Sequence, residues 1–365
     1  MCIFCCNFAA KLFKTNNMKK NIAIIAGGDS SEYEVSLRSA AGIESFLADQ
    51  TQYTTTIVLL RGNDWKAKVS DSEWTEIDKN DFSYTYNRVK HTFDFAYITI
   101  HGTPGENGVL QGYLDMIGLP YSCCGVLAAA MTFNKYTCNH YLKGFGVKVA
   151  ESILLRKAKG ERLEVKGEDI IEQVGLPCFI KTNVGGSSFG VTKVKTLEEV
   201  KPAIEKAFAE GDEVICEAFM KGIEITCGAY KTKDKAVAFP ITEVVTSNEF
   251  FDYDAKYNGQ VDEITPARIP DEVRNKVQAM TLKIYDILGC KGIIRVDYIL
   301  TSLEDGTKCL QDGCAYSLEA KGMEINLLEV NTTPGMTATS FIPQQVRAAG
   351  LNIGEVLSEI VEDNF

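Results

Sequence analysis

The sequence predicts an α/β fold built around a parallel sheet, and three observations carry that reading. Apolar strand-like runs alternate with amphipathic helical runs, and glycine-rich turns join them. With 365 residues, 45% of them hydrophobic and 24% charged, the chain is also long enough for two or three domains around a substantial core.

Residues 21–26 read as a buried strand running into Gly27-Gly28. Ser31-Glu32-Tyr33-Glu34 then has capping-box spacing and opens a helix that runs to about residue 49. The unit recurs, with 94–100 as strand, 101–108 as a glycine-rich loop and 109–117 as helix. Alternation of this kind sets strands parallel and gathers ligands at their carboxyl ends. After Pro120 a helical stretch covers 128–145, and strands follow at 150–155 and 178–182. Residues 183–190, Asn-Val-Gly-Gly-Ser-Ser-Phe-Gly, lie between β-formers and read as a hairpin loop over a ligand. A capped helix over 196–209 leads into strands at 213–219 and 224–230, with Gly222 between them. Beyond a polar, aromatic-rich loop at 246–260, a helix at 271–288 precedes strands at 292–300 and 325–330. Internal repeats and low-complexity tracts are absent.

Charge and composition exclude several classes. The 38 Lys and Arg against 49 Asp and Glu leave a net charge of −11, which argues against a nucleic-acid-binding surface. Twelve cysteines scattered through apolar segments read as buried reduced thiols rather than a disulfide framework. The Cys2, Cys5 and Cys6 cluster lacks the second ligand pair that a metal site needs. No segment has the length to span a membrane, so a cytoplasmic protein is expected, with Met18 as the natural start.

Several residues stand where chemistry is done. Arg295-Val296-Asp297 and Glu329-Val330-Asn331 lie on strands, where side chains i and i+2 share a face. Asp297, Glu329 and Asn331 together suit Mg²⁺ holding nucleotide phosphates, against the alternative of a solvated strand edge. The turn Thr332-Thr333-Pro334-Gly335 favours the first reading, since it can present the Gly335 N–H to an oxyanion. Lys181 before the glycine loop combines a positive charge with backbone donors for phosphate, although a plain hairpin turn explains the glycines equally. Glu32, in a first helical turn, either complements the helix dipole or binds a substrate ammonium group. His101 ends a strand at a glycine-rich loop, as a displayed catalytic side chain or a satisfied structural one. Lys256 and Tyr257 either anchor their own loop or close it over a nucleotide site.

Taken together these segments resemble the D-alanine–D-alanine ligases, from residue 21 to residue 365. Gly27-Gly28-Asp29-Ser30-Ser31-Glu32-Tyr33-Glu34-Val35-Ser36-Leu37 is similar to the family's first signature. His101-Gly102-Thr103-Pro104-Gly105-Glu106-Asn107-Gly108 is similar to its second, and Glu329 through Met336 with Thr337 and Ser340 to its last. The resemblance implies a three-domain ATP-grasp fold. An N-terminal Rossmann-like, parallel-sheet domain would span 18–122, a central subdomain 123–216 and a C-terminal subdomain 217–365, with ATP between the last two.

It further implies that Lys135, Lys181, Ser188, Glu217, Glu224 and Lys256 bind ATP, and that Asp297, Glu329 and Asn331 hold two Mg²⁺ (or Mn²⁺) ions. Glu32 would take the first D-alanine's ammonium group, linked through Ser187 and Tyr257 to the closing loop, with His101 beside it. Arg295 and the Gly335 N–H would stabilise an oxyanion, and Ser340 would hold the second D-alanine's carboxylate. The product would be D-alanyl-D-alanine for peptidoglycan precursors, made through a D-alanyl phosphate by a homodimer. Tyrosine at 257 favours a dipeptide over the ester that some relatives make.

Two segments depart from the family pattern. Residues 181–186 lack the proline common before the Ser-Ser pair, and 303–322, with Cys309 and Cys314, is longer than the usual connection. Another ATP-grasp ligase would share Lys181, Asp297, Glu329 and Asn331 but not the segments around Glu32 and Tyr257. A non-enzymatic nucleotide binder would have lost a metal ligand or Arg295, and neither is missing. A dehydrogenase is disfavoured further, because Gly27-Gly28 lacks the spaced third glycine.

Overall fold

The computed structural model describes residues 19–157, 166–186, 190–246, 261–302 and 322–365. Ser187, Ser188, Lys256, Tyr257, the cluster of Cys2, Cys5 and Cys6, and Cys309 and Cys314 lie outside the described residues.

The chain opens with β1 (Lys20–Gly27), helix α1 (Tyr33–Leu47), β2 (Tyr53–Arg61), β3 (Asp64–Lys68), β4 (Trp74–Asp78), β5 (Ser83–Tyr86), β6 (Val89–His91) and β7 (Phe95–Ile98). These strands form one sheet in the order β6-β5-β4-β3-β2-β1-β7. The predicted parallel pairing holds at its centre, where β1 lies between β2 and β7 and Ile24 is level with Ile57 and Tyr97. From β3 onward the sheet is antiparallel, which the parallel expectation missed. Two-residue turns dictate it. Asn87 and Arg88 take φ of 51° and 65° between paired Tyr86 and Val89, and Gly62 takes φ 51° between paired Arg61 and Asp64.

The expected capping box at Ser31 is not formed. Glu32 itself occupies the N-cap of α1 without a side-chain cap, its N–H donating to Ser30 Oγ at 3.2 Å. Helix α2 (Val109–Ile117) has the predicted bounds, whereas the single helix expected at 128–145 is two, α3 (Val126–Phe133) and α4 (Lys135–Lys143). Asn134 breaks them: it leaves the helical region (φ −92°, ψ 99°), and its side chain accepts from the Thr137 N–H at 2.9 Å, capping α4.

Strand β8 (Lys148–Val149) precedes a four-stranded antiparallel sheet of β9 (Ser152–Arg156), β10 (Cys178–Thr182), β11 (Thr192–Val194) and β12 (Glu213–Ala218), ordered β11-β10-β12-β9. Helices α5 (Gly167–Val174) and α6 (Leu197–Glu210) cover it around Ile170, Ile180, Val200 and Val214. Thr196 sits at the N-cap of α6 without bonding its backbone; Glu199 instead accepts from the Lys195 N–H at 2.7 Å.

The third sheet contains β13 (Ile223–Lys231), β14 (Ala236–Ala238), β15 (Thr242–Thr246), β16 (Val261–Ile264), β17 (Ile294–Ser302) and β18 (Met323–Asn331), and β8 joins its far edge. Helix α7 (Asp271–Leu288) packs on it together with α3 and α4, burying Ala128, Leu142, Val277, Ile284, Val296 and Leu327 in one cluster. Two final helices, α8 (Phe341–Ala348) and α9 (Ile353–Glu362), return to the N-terminal sheet. There Ile342, Leu357 and Ile360 share a core with Ile22, Ile24, Ile43 and Phe95. Helix α2 covers the opposite face through Leu110 and Leu114. Polar ties seal the seam: Tyr53 Oη meets Ser358 Oγ at 2.8 Å and Glu362 Oε1 at 2.7 Å. All seven described cysteines are buried free thiols, and no helix among the described residues is long and apolar enough to cross a membrane.

Candidate active site

The carboxyl ends of β1 and β7, the first turns of α1 and α4, and the ends of β17 and β18 face one another across a cavity of about 400 Å³. Glu32, His101 and Lys135 line it from one side. Arg295, Glu329 and Asn331 line it from the strands, and Gly335 and Ser340 from the turn that follows.

Register explains the strand contribution. Arg295 is level with Asn331 and Asp297 with Glu329, which puts all four on one face of the antiparallel pair, in two successive rows. Arg295 grips both oxygens of Asp297, at 2.9 and 2.7 Å, and reaches Glu329 at 3.7 Å. Burial works against its charge, but these carboxylates outweigh burial and raise the guanidinium pKa further. The Phe341 ring lies 5.4 Å from the guanidinium and adds a second restraint. Lys135, first residue of α4, sends its ammonium to the Gly185 carbonyl at 2.7 Å and towards Glu329 at 3.7 Å. Asp297 is 7% exposed and is absent from the cavity lining.

The glycine loop passes directly over Glu32. A methyl group on Gly186 would overlap the Glu32 carboxylate, which would have to move aside to make room for it. Lys181 and Glu217 form a separate pair beyond the cavity wall, 2.5 Å apart and almost wholly enclosed. They are diagonal neighbours, since Lys181 pairs with Ile215 two residues from Glu217. Burial lowers the Lys181 pKa, yet Glu217 first and then Glu329 and Glu224 leave it raised.

In the turn after β18, Asn331 Oδ1 accepts from the Thr333 N–H at 3.0 Å. Ser340 Oγ accepts from the Thr337 N–H at 3.1 Å and lies 3.0 Å from where a Gly335 side chain would begin. The Gly335 N–H donates to no group among the described residues. His101 is buried, which lowers its pKa, and its Nε2 lies 3.4 Å from Ser39 Oγ.

Sequence reasoning did not single out three cavity residues. Glu106 accepts from the Gly102 N–H at 2.7 Å, and burial pushes its carboxyl up to about 7, with Glu32 adding to the rise. Its place in a glycine-rich loop was a usable signal. Glu263 on β16 is also raised by burial and bonded by Gln344 at 2.5 Å, and Arg38 lies two turns along α1 from Glu32. No local pattern marks either. Among the described residues there is no group of three His, Cys, Asp or Glu poised for a metal. The two carboxylates and one amide oxygen of Asp297, Glu329 and Asn331 nonetheless fit Mg²⁺, which takes few protein ligands and completes its shell with water and phosphate oxygens.

The family description "D-ala D-ala ligase N-terminus" matches residues 21–124, and "D-ala D-ala ligase C-terminus" matches 141–312 and 315–362. A D-alanine–D-alanine ligase of Bacteroides fragilis is 62% identical over 348 residues, covering 95% of this chain and 100% of that protein. One from Porphyromonas gingivalis is 52% identical over 349 residues, covering 95% and 99%. Among solved structures, the VanG D-Ala:D-Ser ligase of Enterococcus faecalis superposes with a TM-score of 0.79 at 28% identity, over 95% of this chain and 100% of that one. The D-alanyl-alanine synthetase A of Vibrio cholerae gives a TM-score of 0.79 at 27% identity, over 95% and 98%.

Proposed function

This chain belongs to the D-alanine–D-alanine ligase family of ATP-dependent ligases, and from that premise we propose that it joins two D-alanine molecules through a D-alanyl phosphate. The observation that carries the reading is the cavity itself. A carboxylate suited to an ammonium group, Glu32, lines the same cavity of about 400 Å³ as a guanidinium and a backbone N–H suited to an oxyanion, Arg295 and Gly335.

In this reading Glu32 holds the first D-alanine by its ammonium group, so that its carboxylate points towards the γ-phosphate of ATP. Lys135 and Lys181 bind the phosphates, while Glu217 and Glu224 take the adenine and ribose end. Asp297, Glu329 and Asn331 would hold Mg²⁺, which neutralises phosphate charge during transfer. The first carboxylate attacks the γ-phosphorus, giving an acylphosphate and ADP. Ser340 then holds the second D-alanine by its carboxylate while its amine attacks the acyl carbon. Negative charge gathers on the carbonyl oxygen, and Arg295 with the Gly335 N–H stabilises it, each such donor being worth about 3 kcal/mol. Phosphate leaves and the dipeptide remains. His101 and Glu106 sit beside the first substrate and set the charge around it.

Lys256 and Tyr257 would close the site and exclude water from the acylphosphate, with Ser187 linking the first D-alanine to them and Ser188 binding ATP. The reading extends to a cytoplasmic homodimer supplying peptidoglycan precursors, with functional units at 18–122, 123–216 and 217–365. The test is purified protein with ATP, Mg²⁺ and D-alanine, with D-serine and D-lactate as competing second substrates. Phosphate and D-alanyl-D-alanine are expected in equal amounts. Phosphate release that requires a different amino acid would overturn the reading.

A further inference from the structure

One buried hydroxyl, outside every motif role assigned above, touches both halves of the site. Ser39 lies on α1, two turns after Glu32, and is completely buried. Its Oγ accepts from the Met336 N–H at 3.2 Å and lies 3.4 Å from His101 Nε2. Ser39 therefore stands between His101 and the residue that follows Gly335. Thr333 and Met336 flank Gly335 on either side. Asn331 holds the turn before Gly335 at the Thr333 N–H, and Ser39, backed by His101, holds it after Gly335 at the Met336 N–H.

We propose that Ser39 is a positioning residue for acyl transfer: it aims the Gly335 N–H at the oxyanion by holding the Met336 N–H next to it, with His101 fixing the Ser39 hydroxyl from behind. The inference rests on the ligase reading above. Its geometry is self-consistent in the neutral tautomer whose Nε2 is the acceptor. The Ser39 hydroxyl then donates to Nε2 while its lone pair takes the Met336 N–H, so every polar atom of the bridge is satisfied. Gly42, one turn further along α1, adds rigidity, since its α-carbon packs against the Met336 carbonyl with no room for a methyl group. A donor displaced by a fraction of an ångström weakens stabilisation of the tetrahedral oxyanion but leaves phosphoryl transfer, which forms none, untouched.

The two half-reactions therefore separate the proposal from a merely structural role. In Ser39→Ala the single-turnover rate of ADP formation and the KM of the first D-alanine should stay within about twofold of the parent, while dipeptide formation falls about tenfold or more. The stranded acylphosphate is then cleaved by water at phosphorus, returning D-alanine and phosphate without a carbonyl oxyanion, so the ratio of dipeptide to phosphate drops below one. Ser39→Cys, of similar size but a weak hydrogen-bonding group, should fall between the two and covers the case in which the alanine variant folds poorly. Ser36→Ala is the matched control. Ser36 is equally buried and its Oγ accepts the Gly27 N–H at 2.9 Å, so this variant should lose stability with no change in the ratio. Parallel loss of ADP and dipeptide in the Ser39 variants, an unchanged ratio, or an equal drop in Ser36→Ala would overturn the proposal. A parent enzyme that forms no ADP with D-alanine would overturn the ligase reading itself and this inference with it.

Discussion

Gly186 shows how closely a single position is specified. Because a methyl group there would overlap the Glu32 carboxylate, Gly186→Ala should push Glu32 off the substrate ammonium. We expect the KM of the first D-alanine to rise about tenfold, equivalent to about 1.4 kcal/mol, with little change in melting temperature. Steady-state kinetics and a thermal melt check both halves. Glu106 makes a pH-dependent claim. Its carboxyl is raised from 4.5 to about 7, chiefly by burial, so the folded state binds this proton more tightly than the unfolded chain does. The stability this group contributes is therefore complete below 4.5 and is lost as pH climbs through about 7. Glu106→Gln should gain about 1–3 kcal/mol over the parent near pH 8 and lose that advantage near pH 5, as urea unfolding at both values would show. Glu32, Arg295, Asn331 and Gly335 were legible because each stands at a strand end or glycine turn. Ser39, Glu106 and Glu263 were less so, since the value of a hydroxyl or carboxylate there depends on partners far away in the sequence.

At the scale of elements, the long apolar runs declared themselves. Strand β10 and helices α2 and α7 have their predicted bounds, because a 2- or 3.6-residue period with a proline or glycine at the end leaves little choice. The meander from β3 to β6 was invisible for the opposite reason. Its strands are only three to five residues long and place few residues in the core, so no apolar alternation marks them. The break at Asn134 was also missed, although its consequence is functional. By ending α3 and capping α4, Asn134 places Lys135 at the cavity, and its amide also reaches Glu213 at 3.2 Å. Asn134→Ala should cost about 1–2 kcal/mol in chemical denaturation. It should also raise the KM for ATP several-fold, because the first turn of α4 loosens around the lysine.

For the whole molecule, the decisive feature is that α1 lies between two catalytic walls. Its start bears Glu32, its middle bears Ser39 and Gly42 against the Met336 turn, and its end meets Gly354 of α9 at Phe46. Gly42→Ala should cost about 1–3 kcal/mol by overpacking and lower kcat more than KM, because the oxyanion turn moves while the ammonium site stays. Calorimetry and initial-rate kinetics would separate those effects. The same seam bears on biosynthesis. The N-terminal sheet leaves the ribosome with one face only partly covered, by α1, because α8 and α9, which complete the cover, follow more than 240 residues after β7. At about 5–20 residues per second, that face waits on the order of ten seconds or more for its cover. A nascent chain of this enzyme thus carries a half-covered apolar sheet while the two other sheets are being made, until α8 and α9 close it.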